Sequence, residues 1–174
     1  CEINIIDDLT IKTNNIKSFH LVLLAKNHQG YLNLMRIVSL GYINSIQDVP
    51  IIDKSILTKY KEGLIVLSGG MQSELTHYVT TNNYNEAKRI ALEYSNIFEN
   101  DFYIEIQNHK LPEQLNINQT LNNLSQELSI PLVATNSTYY SLKEDSEACD
   151  VIKCIKTGHN ISDPKRQKMF SKHF

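Results

Sequence analysis

The feature that most constrains the fold is a repeated succession of a short apolar run, a polar loop and a segment with helical periodicity. Apolar runs of strand length lie at residues 19–25, 64–67, 102–106 and 130–134, and each is followed by a segment with helical periodicity. This alternation predicts an α/β fold with helices outside a mostly parallel sheet. We favour an incomplete, distorted (β/α) barrel, and an open doubly wound sheet is the alternative.

Three polar loops follow the later apolar runs. They are residues 68–70 (Ser-Gly-Gly), 107–109 (Gln-Asn-His) and 136–139 (Asn-Ser-Thr-Tyr). Strand ends of a barrel meet at one rim, where such folds keep their chemistry, so we expect the three loops to lie together. Residues 68–70 lack the glycine spacing and the Lys-Ser/Thr of a P-loop, which favours a simple strand-to-helix turn.

The helical segments are predicted from apolar residues at helical spacing. They lie at residues 31–42, 54–60, 73–79, 83–98, 112–128 and 143–157. Such a stripe typically faces the core. In the first segment it consists of Tyr31, Leu34, Met35, Val38 and Tyr42, and in the last of Ala148, Val151, Ile152 and Ile155. Asp53 is expected to cap the second helix, and residues 43–52 are predicted to be a looser connection.

Composition excludes several classes of protein. A chain of 174 residues, 41% of them hydrophobic, can bury one core, and a net charge of -2 gives no general attraction for nucleic acid. The chain has no apolar run of the roughly 20 residues that a membrane span needs, and its first ten residues lack the charged and apolar regions of a signal peptide. Its three cysteines fit a reducing cytoplasm. Cys149, Cys154 and His159 do not predict a zinc site, because five residues turn two helical side chains about 140° apart.

Several stretches together resemble the polymerase and histidinol phosphatase (PHP) domain of the bacterial replicative DNA polymerase III α subunit. They are HLVLLAKNHQGYLNLMRIVSLGY, EGLIVLSGG, DFYIEIQNHKLPEQ, IPLVATNSTYY, EDSEACDVIKCIKTG and SDPKR, in that order. The resemblance implies a partial PHP domain over residues 1–158 that lacks its first strands, and a segment over residues 159–174 that leads out of it. We expect the chain to be a piece of a longer protein.

The resemblance also implies a site. In active members, the rim of the PHP barrel holds divalent metals that activate water for phosphoester hydrolysis, in some polymerases as a 3′-5′ exonuclease. Glu2 and His109 match two metal-ligand positions, whereas Gly70, Ser137 and Tyr139 stand where the family has cysteine, aspartate and histidine. Because each metal needs several strong ligands, we expect a vestigial site with no bound metal and no catalytic residue. An active metal-dependent phosphoesterase or 3′-5′ exonuclease is the alternative.

The implied parent protein is a cytoplasmic DNA-directed DNA polymerase. Its cofactor would be Mg²⁺, and its partners would be the other polymerase subunits and DNA. This piece would need no cofactor; it would support the polymerase and dock a proofreading exonuclease subunit. A free-standing histidinol-phosphatase-like enzyme is a distant third hypothesis, which the polymerase-like run HLVLLAKN opposes. The cations Lys165, Arg166, Lys168 and Lys172 offer a possible contact with phosphate backbones, but a solvated surface is the ordinary interpretation.

Overall fold

A single sheet with helices packed on it organises the computed structural model, which describes residues 1–9, 17–45, 50–109 and 111–166. The strands are β1 (Glu2–Ile6), β2 (Phe19–Ala25), β3 (Ile51–Asp53), β4 (Leu64–Leu67), β5 (Phe102–Gln107) and β6 (Leu132–Thr135). The helices are α1 (His28–Ile43), α2 (Lys54–Lys59), α3 (Glu74–Thr80), α4 (Tyr84–Phe98), α5 (Pro112–Leu128) and α6 (Ser146–Thr157). Short 3-10 turns lie at Gly70–Gln72, Glu99–Asp101 and Lys143–Asp145.

The six strands lie in the order β3-β1-β2-β4-β5-β6. β2 is antiparallel to both of its neighbours, and the other three pairings are parallel. The predicted mostly parallel sheet is therefore confirmed. Within the described residues the sheet does not close, as expected of an incomplete PHP-type barrel. Val22 lies opposite both Glu2 and Leu67, so the start of β1 is level with the end of β4. Such stagger is typical of barrel sheets, and it brings Glu2 to the rim.

All four predicted strands are confirmed, but one of them is not buried as expected. β6 lies at the edge of the sheet, and its residues are half-buried or exposed. β1 and β3 were not predicted from the pattern. β3 has only three residues and directly follows Pro50, so its apolar run is too short to separate from a loop. The apolar side of the sheet is covered by helices; for example, Tyr94 of α4 stacks on Phe102 of β5 with ring centroids 5.4 Å apart.

Polar residues immediately before the first four helices determine where each begins. Asn27, Asp53, Ser73 and Asn83 each accept a hydrogen bond from the backbone N–H three residues later, at 2.9, 2.9, 3.0 and 3.3 Å. These bonds satisfy N–H groups that the helix itself leaves unpaired. The predicted cap at Asp53 is therefore confirmed.

The first helix is confirmed, but only part of its predicted stripe faces the core: Leu34 packs against it and Val38 is half-buried. Tyr31, Met35 and Tyr42 are exposed, and the buried side of α1 consists of Gly30, Asn33, Ile37 and Gly41. The cause is close packing: a Cβ on Gly30 would lie 1.8 Å from the carbonyl oxygen of Gly63. The glycines let the helix approach the neighbouring chain closely, Ile37 and Leu34 reach the core, and Tyr31, Met35 and Tyr42 are left outside.

The last helix departs further from its predicted orientation. Ala148, Val151, Ile152 and Ile155, the predicted stripe, are all exposed. The buried residues of α6 are Asp150 and Cys154 instead. Gly158 ends the helix with φ +69°, as its position in the sequence predicted.

Candidate functional site

The three predicted loops do meet at one rim of the sheet, where they surround a pocket of about 220 Å³. Strands β1 and β2 complete its wall. The lining residues are Glu2, His20, Val22, Gly69, Met71, Gln72, Glu105, Gln107, His109, Ser137 and Tyr139. The structure therefore brings together four of the five site residues predicted from the sequence, and the fifth, Gly70, adjoins the side chain of Gln107 in the lining.

Glu105 is the buried carboxylate of this pocket, with 4% of its surface exposed. One of its carboxylate oxygens accepts from the backbone N–H of Gly69 at 3.1 Å. The other accepts from the side-chain amide of Gln107 at 3.1 Å and from the hydroxyl of Thr135. These donors are neutral, so they stabilise the carboxylate without cancelling its charge. We did not predict Glu105; the available signal was a carboxylate near the end of an otherwise apolar strand.

The loop at residues 68–70 is a strand-to-helix turn, as predicted. The Ser68 hydroxyl accepts from the backbone N–H of Glu105 at 2.9 Å, which ties the end of β4 to β5. Gly70 has φ +57°, and a Cβ there would lie 2.8 Å from the amide nitrogen of Gln107. Glycine suits both the left-handed backbone and this close approach. The side chain of Gln107 thus fills the space beside Gly70.

His109 is held by the buried side chain of Gln114, in the first turn of α5. The side-chain oxygen of Gln114 accepts from the backbone N–H of His109 at 2.7 Å. That bond turns the NH₂ group of Gln114 toward Nδ1 of His109, 2.9 Å away. Nδ1 must then accept, and the hydrogen-bond network assigns the ring proton of neutral His109 to Nε2. Metal-bound histidines usually donate from the nitrogen that does not bind the metal, so this pairing has the opposite polarity.

The remaining pocket residues differ in exposure. Glu2 is exposed at the start of β1, Ser137 is half-buried, and Tyr139 has 66% of its surface exposed at the mouth. His20 lies on β2 and is half-buried in the pocket wall.

The charged and imidazole side chains that line the pocket are those of Glu2, His20, Glu105 and His109. Across residues 1–9, 17–45, 50–109 and 111–166, no group of three or more His, Cys, Asp and Glu side chains is placed to hold a metal ion. Ser137 and Tyr139 offer only neutral oxygens, which are weak ligands at neutral pH. We therefore derive no reaction step through a metal.

The PHP domain family matches residues 1–109 of the chain. The chain belongs to this family. Three relatives are proteins named DNA polymerase III subunit alpha. That of Borreliella burgdorferi is 41% identical over 157 residues, which is 90% of this chain and 14% of the relative. That of Helicobacter pylori J99 is 37% identical over 172 residues, which is 93% of this chain and 14% of the relative. That of Thermus aquaticus is 39% identical over 148 residues, which is 85% of this chain and 12% of the relative. The chain thus spans about a seventh of the length of these relatives.

A second buried charged cluster joins α2, α3 and α4. The Lys54 ammonium lies 3.4 Å from Glu74, 3.0 Å from Glu93 and 3.4 Å from Asp7. Tyr94 donates its hydroxyl to Glu74 at 3.2 Å. These side chains pair with one another across three helices and the end of β1. We interpret the cluster as structural.

Burial and the attraction between opposite charges together set the pKa values in this cluster. It lowers the pKa of Lys54, but the surrounding carboxylates, Glu74 first, outweigh burial and leave that pKa raised. Burial raises the pKa of Glu74, and the attraction of Lys54 offsets this only in part. Burial also raises the pKa of Tyr94, which therefore keeps its proton and donates to Glu74.

The described cations that were considered for a nucleic-acid contact differ in exposure. Arg166 has only 8% of its side chain exposed, and its guanidinium lies 2.6 Å from the carboxylate of Asp150. Lys165 is exposed. Lys168 and Lys172 lie outside the described residues. None of the described helices is long and apolar enough to cross a membrane.

Proposed function

We propose that this chain is part of a DNA polymerase III α subunit, a DNA-directed DNA polymerase of chromosome replication. Two observations support the proposal: membership of the PHP family, and the names of relatives that are 33–41% identical. The polymerase reaction, its Mg²⁺ and its contacts with DNA would belong to parts of the protein outside this chain. Its place of action would be the cytoplasm.

Within that protein, the PHP piece is a scaffold without hydrolytic activity of its own. The observation that carries this is the internal use of the polar groups of the pocket. Glu105 is occupied by neutral donors, Gln114 donates to the ring of His109, and Ser137 and Tyr139 are weak ligands. The pocket lies at the rim where an active site would be, but its polar side chains form hydrogen bonds with neighbouring protein groups.

A polymerase without hydrolysis at this pocket needs another source of proofreading. The scaffold therefore supports the polymerase and docks a separate proofreading exonuclease subunit, alongside other subunits of the polymerase. Residues 1–158 would form the domain, and residues 159–174 would lead to the next part of the protein.

The test is metal content and 3′-terminal hydrolysis in the complete polypeptide that carries this domain. His109→Ala removes a candidate ligand, and His28→Ala is a matched control because His28 is exposed in the first turn of α1. We expect the two variants to bind the same amount of zinc or manganese and to show the same background hydrolysis. Loss of both in His109→Ala alone would establish the alternative, an active metal-dependent phosphoesterase or 3′-5′ exonuclease.

Docking is tested separately. The purified complete polypeptide is expected to retain the exonuclease subunit on an affinity resin, in the wild type and equally in His109→Ala. Failure of the wild type to retain that subunit would contradict the docking role and leave the assignment to the polymerase untouched.

A further inference from the structure

Helix α1 carries an apolar surface on the side opposite its buried residues. Tyr31, Met35 and Tyr42 are 52%, 43% and 61% exposed, and their spacing places them on one side of the helix. Beside Met35 lies a groove of about 410 Å³. We call it the α1 groove; its lining consists of Leu32, Met35, Arg36, Ser39, Leu40 and Tyr60. It shares no residue with the lining of the rim pocket.

The α1 groove runs along the helix. Leu32, Arg36 and Leu40 are four residues apart, so they form one row on α1, and Met35 and Ser39 form the next row. The longer row spans about 12 Å. Tyr60, the residue that follows α2, completes the lining. Because side chains three or four residues apart fit between such rows, the groove suits the apolar side of another helix.

Two cations beside the groove approach an aromatic ring. The Arg36 guanidinium lies 6.0 Å and the Lys59 ammonium 5.3 Å from the ring centroid of Tyr60. Among the residues that the structure describes, no ion pair involves Arg36 or Lys59. Over residues 28–43 and 54–62, the exposed side chains with a formal charge are those of Arg36, Lys59, Lys61 and Glu62. Cations therefore predominate around the groove, which complements an acidic partner.

The residue types of this surface match the centre of an interface between separable proteins. Tyrosine, methionine and arginine are enriched there, and tyrosine and arginine often carry most of the binding energy. The same types stand together here in Tyr31, Met35, Arg36, Tyr42 and Tyr60. A nucleic acid fits less well, because it needs a patch or stripe of cations, whereas leucines line this groove.

We propose that the α1 groove binds an acidic amphipathic helix of a partner protein. The apolar side chains of that helix enter the groove beside Met35 and Leu40, and its carboxylates meet Arg36 and Lys59. The groove is separate from the rim pocket, so this docking role holds whether or not the pocket is active.

The first test measures the binding of two synthetic peptides to the complete polypeptide that carries this domain, by fluorescence anisotropy. Both peptides have about 14 residues, roughly four helical turns, with leucine at every third or fourth position. The other positions are mainly glutamate in one peptide and mainly lysine in the other. We expect the glutamate peptide to bind at least about tenfold more tightly at low salt, and the difference to shrink as salt screens the charges.

Two results of this test would overturn the proposal. If neither peptide binds, another part of the polypeptide or a second copy covers the groove. If the lysine peptide binds as tightly as the glutamate peptide or more tightly, the partner is not acidic.

The second test locates the bound peptide. Met35→Gln removes apolar surface from the groove, and Leu92→Gln is the control, because Leu92 is 40% exposed on α4 and Met35 is 43% exposed on α1. We expect Met35→Gln to weaken binding of the glutamate peptide about tenfold and Leu92→Gln to leave it unchanged. Equal effects of the two substitutions would place the peptide elsewhere and refute the proposal.

The third test concerns the cations. Arg36→Gln with Lys59→Gln should reduce the preference for the glutamate peptide to within about twofold. The control is Lys156→Gln with Lys165→Gln, which removes two exposed cations far along the chain and should keep the preference. Melting temperatures equal to that of the wild type show that both double variants are folded. A preference that survives in the first double variant would contradict the assigned role of Arg36 and Lys59.

Discussion

Two buried glutamates of this protein have the same exposure and opposite surroundings. Glu74 and Glu105 are each 4% exposed. Glu74 pairs with the ammonium of Lys54 and accepts from Tyr94, whereas Glu105 accepts from a backbone N–H, an amide and a hydroxyl. The first arrangement neutralises charge and joins helices. The second surrounds a carboxylate with neutral donors in the wall of a pocket, where functional groups are commonly found.

The largest expected effect concerns the neutralised cluster. Lys54→Met would leave Glu74, Glu93 and Asp7 without their shared cation, and we expect a loss of about 3 kcal/mol in the free energy of unfolding. Urea denaturation at pH 7 measures it. The control is Lys26→Met: Lys26 pairs with Asp101 at 2.7 Å but has 52% of its side chain exposed, so its loss should be below about 1 kcal/mol. Equal losses would remove the distinction between buried and exposed pairs.

The second effect concerns the pocket carboxylate. Glu105→Gln replaces one acceptor oxygen by an NH₂ group that faces donors, and we expect a loss of about 2 kcal/mol in the free energy of unfolding. Since Glu105 shares no hydrogen-bond partner with Lys54, the double variant with Lys54→Met should lose the sum of the two single losses to within about 0.5 kcal/mol. A larger coupling energy would mean that the two clusters act together.

The smallest effect is a dependence on pH. The pKa of Glu74 is raised by burial above its ordinary value of 4.5, so the folded state binds the proton more tightly than the unfolded state. The contribution of Glu74 to stability is therefore greatest below pH 4.5 and decreases as the pH rises toward the raised pKa. We expect the stability difference between wild type and Glu74→Gln to fall over that interval in urea titrations. A difference that rises with pH would show that Lys54 lowers the pKa of Glu74 instead.

Much of the architecture could be predicted from the sequence because its signals are local. An apolar run of strand length, a capping aspartate at position 53 or a glycine at position 158 acts through neighbouring residues. The convergence of residues 68–70, 107–109 and 136–139 was also predictable, because parallel strands place their ends at one edge. The resemblance to the PHP family located Glu2 and His109 in that group. The loss of metal binding remains a prediction.

The sequence by itself determined where most helices and strands lie and which loops share the rim, since backbone hydrogen bonding and periodicity act over a few residues. Only the tertiary structure decided which side of a helix is buried. Gly30 lets α1 approach Gly63 closely, which leaves Tyr31, Met35 and Tyr42 exposed, and Asp150 of α6 is buried in an ion pair with Arg166. The tertiary structure also made β2 antiparallel to both of its neighbours and placed neutral donors around Glu105. These outcomes depend on contacts between residues that are far apart in the chain, and a local sequence pattern does not predict such contacts.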